Sequence, residues 1–195
     1  MLNALLPLAV RTITHPKEAA AQVVQFQMPR STLWSVLALV VVLNAIAYQL
    51  SLLITPPQQP LPALFSSPFL FATLIGAGLI LSVYSITYAG RFIGGKGTLD
   101  TIMLLLVWLQ FLRFLLQMLT FILIPLVPGL AGMLVLCASL YGMWILLQFI
   151  DFAHEHNSLA ASFGTLILSG LGIMLGLAIL LSLLGVQNMG LTPYV

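Results

Sequence analysis

Five apolar runs, each about as long as a lipid bilayer is thick, constrain this chain more than any other feature of its sequence. They occupy residues 31–54, 69–91, 99–124, 129–152 and 158–184. A helix rises 1.5 Å per residue, so ~20 apolar residues cross a hydrocarbon core of ~30 Å, and each run is long enough to do so with some tilt. The runs are continuously apolar, whereas barrel strands would alternate polar and apolar residues over ~10-residue segments. The pattern predicts an all-α fold: a polytopic integral membrane bundle of five transmembrane helices. Only 5% of the residues are charged, far below the ~25% of soluble domains.

Short punctuated connections separate the runs: a Pro-rich stretch at 55–62, Gly94-Gly-Lys-Gly97, a Pro-containing turn at 125–129 and a polar stretch at 151–158. Connections this short make consecutive helices antiparallel neighbours. Arg11, Lys17 and Arg30 precede the first run, and Arg91 and Lys96 flank the second-to-third connection. The opposite connections and residues 185–195 carry no Lys or Arg. The positive-inside rule then predicts a cytoplasmic amino terminus and a non-cytoplasmic carboxyl terminus. On this reading residues 1–30 form a cytoplasmic or interfacial segment, 31–184 the transmembrane domain, and 185–195 a short tail outside. Residues 1–10 are apolar and the first cation, Arg11, follows them, which is the wrong order for a secretory signal.

Within the first segment, Pro16-Lys17-Glu18 predicts a helix start, with Pro at an early position and an acid in the first turn. Ala19, Val23 and Phe26 fall on one face, predicting a short interfacial helix that Pro29 would end.

Arg113 lies about 14 residues into the third run, ~21 Å along it. A cation at that depth costs at least ~2.5 kcal/mol on insertion scales, so it is expected to face the interior or polar partners. Gln110, Arg113, Gln117 and Thr120 follow spacings of three and four and form one polar stripe. Asn44 on the first helix, and Ser139 or Tyr141 on the fourth, lie at matching depth as candidate partners. The stripe either lines a substrate or ion path or serves interhelical hydrogen bonding.

Asp151, His154, Glu155 and His156 carry metal-ligating chemistry. They lack the HExxH spacing, and no second Glu-x-x-His element accompanies them, so a solvated connection is the simpler expectation and no metal or other cofactor is predicted. Asp100 is expected to stabilise the third helix's amino terminus, helped by Arg91 or Lys96. The Gly94–Gly97 loop lacks the P-loop pattern, and a lipid headgroup contact suits it better than a nucleotide. Arg30, Arg91 and Lys96 are the expected headgroup contacts. Thr165, Ser169, Gly172 and Gly176 make a small-residue stripe on the fifth helix, and Gly76 with Gly78 thins the second at comparable depth, predicting close packing. Cys137, the only cysteine, has no partner for a disulfide. A net charge of +2 is too small for a nucleic-acid partner. No Ser-His-Asp set, nucleophile elbow or pair of midplane carboxylates points to an enzyme.

The order of landmarks resembles the bacterial branch of the Yip domain family. A helix opens with Pro16-Lys17-Glu18, five spans follow, and Gly94-Gly-Lys-Gly-Thr-Leu-Asp100 leads into Trp108-Leu-Gln110. The resemblance runs from about Pro16 to Leu184. It implies a five-span, non-enzymatic protein with a cytoplasmic amino terminus, similar to members that act in membrane organisation, trafficking or protein partnering. The eukaryotic members' Rab binding does not carry over, since no long polar extension is present to recruit a GTPase. Two functions are therefore expected to compete. One is a scaffold or assembly factor in a bacterial inner membrane, with membrane lipid and another membrane protein or itself as partners. The other is a small transporter or channel subunit using Asn44, Gln110, Arg113 and Gln117.

Overall fold

The computed structural model describes residues 2–184, which form helices joined by short connections. In order they are α1 (Leu2–Thr14), α2 (Pro16–Val24), α3 (Arg30–Ile54), α4 (Ala63–Ser66), α5 (Pro68–Phe92), α6 (Leu99–Leu126), α7 (Pro128–His154) and α8 (Leu159–Leu184). Among them α3, α5, α6, α7 and α8 are long and apolar enough to cross a membrane, and the chain is an integral membrane protein. Local chemistry sets several of the ends. Pro68 and Pro128 open α5 and α7, where the absent N–H would have lacked an intrahelical partner anyway. Thr98 caps α6 by accepting from the Thr101 N–H at 3.2 Å. Glu155 closes α7 in the left-handed region, at φ 54°.

α5 packs along α8, α3 along α6, and α6 along α7. One end of the bundle is sealed and the other is open. Ile102 through Trp108 on α6 are all buried, because α2, α3, α5 and α7 surround that stretch. Farther along, Leu119, Ile122 and Leu126 on α6 and Met133, Leu136 and Leu140 on α7 are exposed. The less exposed positions of this half of α7 are Ala131, Leu134, Ala138, Gly142 and Ile145, a seam at helical spacing. Apolar side chains on the remaining faces are what lipid, unlike water, accepts at no cost.

Where the sequence predicts one helix ahead of the first span, the structure has two. The apolar residues before Arg11 form α1, which packs Leu8 into the core and leaves Leu6, Val10 and Ile13 exposed. α2 ends at Val24, short of Pro29, as Gln27 turns to φ 39°. Phe26 therefore lies beyond the helix and is exposed, and it does not share a face with Ala19 and Val23. Those two and Ala20 have no exposed surface, because small side chains let α2 lie directly on α6 and α7. At the start of this segment Arg11 pairs with Glu18 at 2.7 Å, and that hydrogen bond holds the Glu18 carboxyl below the usual carboxylate range.

A buried hydrogen bond anchors α1. Trp108 Nε1 donates to Thr12 Oγ1 at 3.0 Å, and Thr12 Oγ1 donates onward to the Leu8 carbonyl at 2.8 Å. Trp108→Phe is expected to cost about 1 kcal/mol in thermal unfolding in detergent. The effect stays small because Thr12 keeps its bond to Leu8.

The α8 stripe faces α5. A Cβ on Gly172 would come 3.0 Å from Ser85 Oγ, and one on Gly176 would come 2.7 Å from Leu81. Gly76 and Gly78 are not the counterpart of that stripe. Gly76 meets Val41 of α3, with 3.5 Å between its added Cβ and the Val41 side chain, and Gly78 has nothing within 4 Å. Two residues of helix are ~200° of rotation, so positions 76 and 78 point to different sides.

Candidate functional site

The polar side chains gather at two places, the sealed end of the bundle and the middle of α6. At the sealed end the 151–158 stretch is solvated only in part: Glu155, Asn157 and Ser158 are exposed, whereas Asp151 and His154, in the last turn of α7, are 3% and 1% exposed. The last turn of α7 is roofed by the α5–α6 loop and flanked by α2 and the start of α8. Asp151 forms an ion pair with Lys17 of α2. Its Oδ1 also accepts from the Ser158 N–H at 3.0 Å and from Ser162 Oγ at 3.2 Å. A single carboxylate thereby ties α2, α7 and the amino terminus of α8, where the helix dipole favours an anion.

His154 fills a cradle of glycines. Its Nδ1 accepts from the Gly97 N–H at 3.1 Å, and its Nε2 lies 3.2 Å from the Ile86 carbonyl. An acceptor at Nδ1 and a carbonyl at Nε2 define the neutral tautomer with the proton on Nε2. A Cβ added at Gly90, Gly95 or Gly97 would overlap this side chain, at 2.6 Å from His154 Cβ in the case of Gly95. The loop completes the fit with a bond from the Lys96 N–H to the His154 carbonyl at 3.1 Å, and Gly94 makes its turn at φ 97°, a conformation suited to glycine. The ring of His156 stacks on that of His154 at 5.2 Å, and His156 Nε2 meets Thr165 Oγ1 at 3.2 Å.

The exposed cations of this end are tied to neighbouring groups. Lys96 pairs with Glu155 at 3.0 Å, and Arg91 Nε donates to the Gly97 carbonyl at 2.9 Å. Arg30 lies 3.5 Å from Asp100. Asp100 stands in the first turn of α6, as expected, but it meets Arg30 at the start of α3 and not Arg91 or Lys96. Between these groups a cleft of about 500 Å³ opens, lined in part by Lys17, Lys96, Thr98, Thr101, Asp151 and Glu155. Its two lysines are paired with its two acids, so the lining is close to neutral.

At mid-membrane depth the structure separates the residues of the polar stripe. Asn44 is buried and donates through Nδ2 to the carbonyls of Val40, at 2.7 Å, and Gln110, at 3.3 Å. Gln110 and Gln117 are half-buried, and Thr120 is buried and donates to the Gln117 carbonyl at 2.8 Å. Arg113, expected to turn inward, is exposed. None of its expected partners reaches it. Ser139 Oγ donates to Val135 within its own helix, and Tyr141 donates to the Ile13 carbonyl of α1 at 2.6 Å.

Sequence reasoning missed the His154 cradle, the Lys17–Asp151 pair and the docking of α1 through Trp108 and Tyr141. The glycines at 90, 95 and 97 were a visible signal, but their partner is 57 residues from Gly97 and nothing local names it. Among the described residues no three His, Cys, Asp or Glu side chains converge on one point. Both ring nitrogens of His154 are engaged by backbone groups, and Asp151 is spent on three partners, so neither is poised to act as a base.

These features define a class: a five-span helical integral membrane protein in which buried polar groups such as Asp151, His154 and Asn44 tie neighbouring helices together. Within that class the family is specific. Residues 10–183 match the Yip1 domain, and the chain belongs to the Yip1 domain family, membrane proteins that are in general non-enzymatic. Neither the curated proteins nor the solved structures yield a match.

Proposed function

We propose that the protein is a non-enzymatic scaffold or assembly factor that binds another integral membrane protein or a second copy of itself, and membrane lipid. We place it in the bacterial branch of its family and in a bacterial inner membrane, with its amino terminus in the cytoplasm and its carboxyl terminus outside. The observation that carries this reading is the exposure of Arg113 halfway along a membrane-length helix, where a lone cation calls for a polar cover. The open half of α6 and α7 offers unpaired apolar helix surface to a partner. Arg30, Arg91 and Lys96 are exposed at the sealed end, where the positive-inside rule places the cytoplasm and anionic headgroups attract cations.

A transport path has less support. The Asn44 amide is used on two backbone carbonyls and is not free to line a path.

The scaffold reading is tested by purifying the chain at endogenous level from its native membrane in a mild detergent and identifying by mass spectrometry what accompanies it. A membrane protein in fixed stoichiometry, or a stable oligomer of the chain, is the expected result. A partnerless monomer would overturn the reading and make flux assays the next step.

A further inference from the structure

We infer that Arg113 is the docking point for a membrane-spanning helix of a different protein, one that carries a carboxylate near the bilayer centre. The inference deepens the scaffold reading and rests on it.

The argument begins with depth. Arg113 stands at the middle of the 28-residue α6, so ~15 Å of hydrocarbon separates it from either surface. An extended arginine side chain covers roughly half that distance, too little to snorkel to a headgroup. Among the described residues it has no ion pair or side-chain hydrogen bond, and it is exposed. A permanently charged guanidinium left against lipid tails is strongly disfavoured, so its cover must come from outside the chain.

The sequence restricts what that cover is. The chain has four acids, Glu18, Asp100, Asp151 and Glu155. Asp100 and Asp151 sit at the sealed end, near Arg30 and Lys17. Glu155 follows α7 there, and Glu18 belongs to α2. A second copy would therefore bring another Arg113 to the midplane and no carboxylate to meet it. A carboxylate on another protein's helix matches the planar fork of the guanidinium with two parallel hydrogen bonds. Gln110 and Gln117, one turn to either side, offer further hydrogen bonds.

The probe is a synthetic 20-residue Leu/Ala helix with one central Glu, labelled with an energy-transfer acceptor. It is titrated into phosphatidylcholine/phosphatidylglycerol vesicles that hold the full-length chain labelled at its amino terminus. Matched peptides carry Leu or Gln at the centre. The Glu peptide is expected to bind at least about tenfold more tightly than the Leu peptide, with Gln between them. R113L should abolish that preference, and R113K should keep part of it. The peptide series is read on the wild-type chain, so it needs no variant to fold. Equal binding of the Glu and Leu peptides, or a preference that survives in R113L, overturns the proposal. Self-association that depends on Arg113 also overturns it, while leaving a scaffold that binds its own copies intact. Failure of the scaffold reading itself would show separately, as a partnerless chain in the native-membrane purification.

Discussion

Gly90→Ala is expected to destabilise the bundle by about 3 kcal/mol, at the upper end of what overpacking a tight core costs. The added methyl would occupy the space of the His154 ring, and that ring has no easy retreat. Its two nitrogens are held by Gly97 and Ile86, and Gly95 and Gly97 crowd its other sides. The prediction has a sharper form as a double-mutant cycle. His154→Ala alone leaves a cavity and removes the acceptor for the Gly97 N–H, so it too destabilises. In that background Gly90→Ala should cost close to nothing. Thermal unfolding in detergent, read with size-exclusion profiles, gives all four corners of the cycle. Additive effects would mean that the ring does not fill the glycine cradle.

Asp151→Ala is expected to lower stability by about 3 kcal/mol, since it removes the acceptor used by Ser158 and Ser162 and leaves Lys17 unpaired. Asp151→Asn should cost only about 1 kcal/mol. It keeps an oxygen for Ser158 and Ser162 and gives up the attraction to a lysine whose side chain is 51% exposed, an ion pair weakened by solvent. The two variants also differ in place. Asp151→Ala should loosen α2 from α7 and make the α1–α2 junction at His15 open to limited proteolysis, whereas Asp151→Asn should leave that junction largely protected. Equal protection of wild type and Asp151→Ala would show that Ala19, Ala20 and Val23 hold α2 in place by packing alone.

The fold class was legible because its determinants are local. A run such as residues 31–54 announces a membrane helix through length and hydropathy, with no knowledge of its neighbours. The start of α2 at Pro16 was legible for the same reason, since a proline and a first-turn acid act within a few residues of chain. The apolar residues that form α1 gave no comparable signal. They are too few to span, and their helix is held by Trp108 and Tyr141, which lie far along the sequence.

For the candidate site the division falls in the same place. Helical periodicity put Gln110, Arg113, Gln117 and Thr120 on one face, but it could not say what lies opposite each position. Thr120 is buried on that face and Arg113 is exposed on it. The sequence by itself determined that this chain makes five membrane-length helices, that nearly all its charges lie near helix ends, and that a single arginine sits in the middle of a span. Only the tertiary structure decided that the glycines of the α5–α6 connection enclose His154, that Lys17 meets Asp151, that Arg30 meets Asp100, and that Arg113 is left exposed. Helix formation depends on neighbours a few residues away, whereas these pairings depend on which helices stand side by side and at what rotation, a property of the packed bundle as a whole.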